Sequence, residues 1–189
     1  MVVMEGNMKA ITWLACIILT GCAANPQTLE SVARTESARL APPTRPFSSF
    51  ASYDLRPMVL SQAVQAEAGK VEAAGALEAK LQARIQPLLD QWTAATASGR
   101  SGTLSIEPRL ASLKIVSGGA RFWAGAMAGD STIDLDLVIT DQATGQQIAK
   151  PRIARNADAM TGGWSIGKSD QNLLDYITSI AYQYLQDNF

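Results

Sequence analysis

"STIDLDLVITD", residues 131–141, decides the fold. Ile133, Leu135, Leu137 and Ile139 alternate with Asp134, Asp136, Val138 and Thr140. Successive side chains of a strand point to opposite faces, so this pattern describes a strand with one face in a core and the other toward water. The next residues, "DQATG" (141–145), hold an Asp able to cap a turn and a Gly free to adopt positive φ, so they predict a hairpin. The chain then returns as "QQIAKPRIARNA" (146–157), a shorter strand with Ile148 and Ile153, broken by Pro151.

Upstream, "TLSIEPRLASLKIVS" (103–117) also reads as a strand. Leu104, Ile106 and Leu110 share one parity, whereas Leu113 and Ile115 have the other. That slip predicts a bulge or break near Ala111–Ser112, and Pro108 predicts an edge or bulged strand. "FSSFASYDLRPMVL" (47–60) is expected to be a first strand, with Pro57 cutting part of it off. "VEAAGALEAKLQARIQPLLDQW" (71–92) has Ala74, Leu77, Leu81, Ile85, Leu88 and Trp92 at helical spacing. Pro87 is expected to kink or end that helix, and Glu72, Lys80 and Arg84 to face water. "SDQNLLDYITSIAYQYL" (169–185) carries a second apolar stripe, with Ser169 as N-cap. The expected class is α+β: a mostly antiparallel sheet of about four strands, two helices on one face, and the order β-α-β-β-β-α.

Composition excludes several chemistries. The 189 residues hold 16 Lys and Arg against 17 Asp and Glu, so no basic field recommends a nucleic-acid partner. Histidine is absent, which removes Ser-His-Asp triads, Cys-His dyads and the usual zinc sites.

"MKAITWLACIILTGC" (8–22) places Lys9 before an apolar run too short to span a bilayer as a stable helix, the pattern of a secretory leader. Its end, "LTGC" at 19–22, resembles the lipobox of bacterial lipoproteins. The resemblance implies cleavage before Cys22 and attachment of lipid to its thiol. Residues 1–21 are then the signal peptide, with Met8 as its expected start. Cys16 leaves with it and Cys22 is consumed, so no free thiol remains. Several acyl chains anchor stably. By the same resemblance, Ala23 in the sorting position favours the periplasmic face of the outer membrane. Residues 23–46, rich in Ala, Ser, Thr and Pro and ending in "APPTRP", are expected to be a flexible tether in which "TLESVARTESARL" (28–40) forms at most a transient helix with a thin apolar face, and 47–189 a single periplasmic domain.

Two candidate sites stand out. Asp134 and Asp136 lie on one strand face, about 7 Å apart, and could form a carboxylate pair for hydrolysis. The plainer account is the solvent face of a half-buried strand. The second is "GGARFWAGAMAGDS" (118–131), which meets neither phosphate-loop spacing and runs between two strands. It reads as a structural crossover packed over the sheet; the alternative is a membrane or oligomer contact, for which Gly125 and Gly129 have a spacing that permits close backbone approach and Phe122 and Trp123 are anchors. Gly162, Gly163 and Trp164 echo Gly118, Gly119 and Trp123, so the two loops are expected to meet at one end of the sheet. Arg121, Phe122, Trp123, Trp164 and Lys168 would then share an interaction surface. No catalytic residue, metal or cofactor is assigned.

With its Gly-rich crossover, Asp-bearing strand and "D-x-x-TG" hairpin, the core at 118–148 resembles uncharacterised proteobacterial lipoproteins carrying a domain of unknown function. The element order is more remotely similar to the α/β domains of the curli-secretion lipoprotein and the TolB amino-terminal domain. Those resemblances imply envelope assembly or partner binding without catalysis. The expected function is a lipid-anchored periplasmic module that binds an envelope component. The alternatives are a subunit of a homo-oligomeric envelope complex and a hydrolase using Asp134 and Asp136.

Overall fold

A computed structural model describes residues 26–95, 99–114, 131–156 and 169–189. At its centre β3 (Thr103–Lys114) and β4 (Thr132–Asp141) pair antiparallel along their whole lengths. β4 buries Ile133, Leu135, Leu137 and Ile139 and leaves the intervening residues half exposed, as the alternation predicts. In β3 the register shifts between Leu110 and Ser112, leaving Ala111 as the extra residue. This bulge is the slip read from the sequence. It lets Leu110 and Leu113, three residues apart, both enter the core.

β1 (Ser52–Leu55) and β2 (Val59–Leu60) flank β3 on one side, both parallel to it. β5 (Gln147–Ala149) and β6 (Arg152–Asn156) flank β4 on the other side, both antiparallel. The six described strands therefore form four ribbons, with each edge ribbon split at a proline, Pro57 or Pro151. The parallel pairing of β1 with β3 follows from the helical connection between them, since a tight turn cannot join parallel neighbours. The class is α+β with a mostly antiparallel sheet.

Of the two settings expected for Pro108, an edge or a bulged strand, β3 has the second: it is an interior strand with a bulge at Ala111. The carbonyls of Ile106 and Leu110 accept bonds from Arg56 and Ser61, so these residues direct their backbone groups toward the β1–β2 ribbon. Pro108 has the same parity. Its missing N–H therefore faces the gap between β1 and β2, where no ladder bond is lost. Across the sheet, Leu137, the register partner of Pro108, donates its N–H to the carbonyl of Pro151.

α3 (Ala68–Ala94) packs against β1 and β3, and α4 (Ser169–Asp187) against β4 and β6. α3 buries Ala74, Leu77, Leu81, Ile85, Leu88, Leu89 and Trp92, and α4 buries Leu173, Ile177, Ile180, Ala181, Tyr184 and Leu185. α3 does not end at Pro87 but runs on to Ala94. Pro87 and Ala83, whose carbonyl loses its partner, are both exposed, so water can replace the lost bond. Lys80 and Arg84 depart from the sequence reading. Lys80 pairs with Asp175 of α4 at 2.5 Å, and Arg84 lies 4.8 Å from the Tyr182 ring centre, so both tie α3 to α4. The first turn of α2 (Gln62–Gln65) is capped by Ser61.

The largest difference concerns the expected tether. Described from residue 26 onward, it is folded against the domain. α1 (Pro26–Ser37) packs on α4 with Ala33 buried, and the Ser37 hydroxyl donates to Asp187 at 2.7 Å. The strap that follows crosses the end of α4 and the β5 edge. Tyr184 donates its hydroxyl to the Ala41 carbonyl at 2.8 Å, the Thr44 amide bonds to the Ile148 carbonyl at 2.9 Å, and the Phe47 amide bonds to the Asn188 carbonyl at 2.9 Å. Phe47 is fully buried, its ring edge-on to Tyr184. The sequence showed little of this because the apolar stripe is thin, only Leu29, Ala33 and Leu40, and the strap is fastened mostly by backbone and polar bonds.

Arg45 closes the strap. Its guanidinium lies 4.0 Å from the Phe50 ring centre and 2.8 Å from the Asp141 carboxylate. Asp141 also caps the hairpin, accepting the Ala143 amide at 3.0 Å, and Gly145 adopts the anticipated positive φ of 70°. Burial alone would raise the Asp141 carboxyl. The amides of Ala143 and Thr144 and the charge of Arg45 outweigh it and hold the carboxyl below its ordinary value of 3.8. A carboxyl depressed in the folded state contributes stability above its unfolded pKa, and that contribution is lost as pH falls through the folded value. Asp141→Asn is therefore expected to be less stable at pH 7 and to show a shallower loss of stability below pH about 4. Urea unfolding across this range checks it, and parallel curves for the two proteins would refute it.

Candidate functional site: one end of the sheet

Strand register places three chain ends in one row. Lys114, the last residue of β3, partners Thr132 at the start of β4, and Thr132 partners Asn156 at the end of β6. Segments 115–130 and 157–168 are therefore both attached at this end. The sequence reading expected the two Gly- and Trp-bearing stretches to share one end, and their points of attachment do. The residues assigned to the surface itself, Arg121, Phe122, Trp123, Trp164 and Lys168, lie outside the described residues, as does Cys22.

The bulge at Ala111 lies just before this row and adds local twist where β3 runs out into segment 115–130. Leu113, Ile133 and Ile153 close the core beneath the row, and Ser131 is fully buried at the entry to β4. Lys114 is exposed. Arg155 lies on the core side of the β6 edge, where it pairs with Glu36 of α1 and donates to the Ala154 carbonyl at 2.7 Å. Glu36 also holds Arg39 at 2.8 Å. No sequence motif marks this cluster, because Glu36 and Arg155 are far apart in the chain.

The outer sheet face carries the acidic pair. Asp134 accepts from Arg152, whose Nε lies 2.8 Å away, and Asp136 pairs with Lys150 at 3.2 Å. The hydrogen bond and charge of Asp134 raise the Arg152 pKa further, keeping that guanidinium charged. The ladder continues with Arg109 and Glu107 at 2.5 Å and with Arg56 and Asp54 at 3.3 Å. To act as an acid, a base or a metal ligand, each Asp would first have to release its cation. Among the described residues, no three Asp, Glu, Cys or His side chains come together as a metal-binding group. Among the described residues, no helix is long and apolar enough to cross a membrane.

These features define an α+β protein whose core-covering helices leave one sheet end to two long connecting segments. No family model matches the chain, and no curated protein matches it. Among solved structures it is similar to two PelC dodecamers from Paraburkholderia phytofirmans. One is a point variant with a TM-score of 0.41 and 9% identity, covering 78% of this chain and 95% of that one. The other has a TM-score of 0.41 and 10% identity, covering 77% and 94%. A resemblance this distant says nothing of what this chain binds.

Proposed function

We propose that this chain is a non-enzymatic, lipid-anchored periplasmic module of the bacterial envelope. It is held at the outer membrane through Cys22 and binds an envelope protein through the sheet end carrying segments 115–130 and 157–168. The observation that carries the binding-surface part of this reading is the row Lys114–Thr132–Asn156, which ties both Trp-bearing segments to one place. Tryptophans set on a scaffold are effective binding anchors, each able to supply much of the energy of an interface. The ion pairing of Asp134 and Asp136 weighs against the hydrolase alternative.

Trp123→Ala and Trp164→Ala are expected to lower cross-linked capture of the partner from intact envelopes by tenfold or more, with the unfolding midpoint unchanged. Unaltered capture by the double variant would remove the surface from the account. Addition of Mg²⁺, Ca²⁺ or Mn²⁺ is expected to leave the thermal midpoint in place, because only a ligand of the native state raises it.

Self-association is a second reading, and the β1–β2 edge favours it. Ser52 and Arg56 donate their amides toward the β3 side, so Tyr53 and Leu55 direct theirs outward, where no described strand pairs with them. Val59 on the same edge is 46% exposed. Light scattering on the domain without its lipid distinguishes a monomer from an assembly built through this edge.

A further inference from the structure

Docking of residues 26–50 changes what the lipid anchor does. A tether reaching to residue 46 would let the domain roam and present any side to the bilayer. The described fold begins instead at Pro26, only four residues after Cys22. An extended chain spans at most about 3.6 Å per residue, so the start of α1 lies within about 14 Å of the lipidated residue.

The position of α1 fixes which side that is. α3 covers β1 and β3, α4 covers β4 and β6, and α1 packs on α4. α1 thus lies on the β5–β6 side of the molecule, where Glu36 reaches Arg155 of β6. Its attachment does not rest on α1 packing alone. Ala33 and Ser37 are buried against the domain, Ser37 is bonded to Asp187, and the strap behind it is fastened at Ala41, Thr44, Arg45 and Phe47.

The geometry points to a fixed orientation on the membrane. The α1 and β5–β6 side faces the lipid surface at close range, and the β1–β2 edge faces away. This rests on the lipidation of Cys22 and adds to it a defined membrane-facing surface. The surface is mostly polar: Glu30, Ser31, Arg34, Thr35 and Arg39 are exposed on and just after α1, with Val32 an exposed apolar side chain among them. It therefore rests against headgroups and does not insert. Three inter-strand spacings and one helix diameter place Val59 on the opposite edge, roughly 20 Å farther from the bilayer than α1.

The test uses the full lipidated chain in vesicles that contain a nickel-chelating headgroup lipid. In that chain Cys22 carries the lipid and Cys16 has left with the leader, so an introduced cysteine is the single site for a nitroxide. Glu30→Cys and Val59→Cys replace exposed residues. The mass of the N-terminal peptide is read from the same preparation. The expected result is a lipid-modified Cys22 and a nitroxide relaxed by nickel several-fold more strongly at position 30 than at 59. Ten Gly and Ser residues inserted between Ala24 and Asn25 should remove that difference. Equal relaxation at both positions on a lipidated chain overturns the fixed orientation and leaves the anchor standing. An unmodified Cys22 overturns both.

Discussion

Deletion of Glu107 is expected to unfold the protein, whereas deletion of Ala111, four residues along the same strand, leaves the fold intact. Both remove one residue from β3, but the register makes them opposites. Before the bulge, β3 alternates with Leu104, Ile106, Pro108 and Leu110 inward. Loss of Glu107 puts the two halves of that run out of phase. Either Leu104 and Ile106 turn outward, or Pro108 and Leu110 do and Arg109 turns in. Two buried side chains leave the core in each case, at about 2–5 kcal/mol for each Leu or Ile. The total rivals the stability of a whole domain, roughly 5–15 kcal/mol. Ala111 is the unpaired residue of the bulge and is exposed. Without it Leu110 and Leu113 become two residues apart, and the ladder to β4 runs straight with both still inward. The change in stability is expected to stay within about 1 kcal/mol. Circular dichroism and urea unfolding of the two variants check this. Equal damage from both deletions would place the extra residue elsewhere.

Phe47→Ala is expected to cost about 3–5 kcal/mol, the range for truncating a fully buried aromatic ring. Phe47 is 0% exposed, its ring lies 6.2 Å from that of Tyr184, and its carbonyl accepts the Tyr53 hydroxyl at 3.1 Å. Those neighbours are themselves tightly held. Burial pushes the Tyr184 phenol up to about 12, so its hydroxyl stays protonated and bonded to Ala41 well into alkaline pH. Trp92 and Phe189 stack 4.2 Å apart beside Tyr53, and the Tyr53 hydroxyl ties that ring group to the Phe47 carbonyl of the strap. Truncating Phe47 opens a void where these elements meet. Urea unfolding measures the loss, and a change below about 1 kcal/mol would show that residues up to 47 lie loosely on the domain.

How much of this was legible depends on the kind of contact. The β3–β4 pair, its bulge and the hairpin at Gly145 could be read because apolar side chains report their face through periodicity. The breaks at Pro57 and Pro151 could be read because proline removes a donor. The same rule left Pro108 in either an edge or a bulged strand, since it says nothing of which side the missing donor faces, and the register decides for the bulged one. Pro87 does not end its helix, because a helix on a surface can lose one bond to water. The docking of α1 and its strap was illegible, although a short-lived helix there was not. Ala33 is small, and the bonds of Ser37 to Asp187 and of Thr44 to Ile148 join residues more than a hundred positions apart. For the candidate site, the sequence supplied its aromatic residues and the expectation of a shared end. The structure supplied the row of Lys114, Thr132 and Asn156 to which both segments are attached.

That shared end is the centre of the functional account, and a photo-reactive residue tests it in place. Introduced at Lys114, at this end of β3, it is compared with one at Thr144, in the hairpin at the opposite end of the sheet. Both positions are exposed, so neither substitution disturbs the core. On irradiation of intact envelopes the account expects a discrete cross-linked partner from position 114 and none from 144. A cross-link from position 144 with none from 114 would contradict it and move the binding surface to the hairpin end.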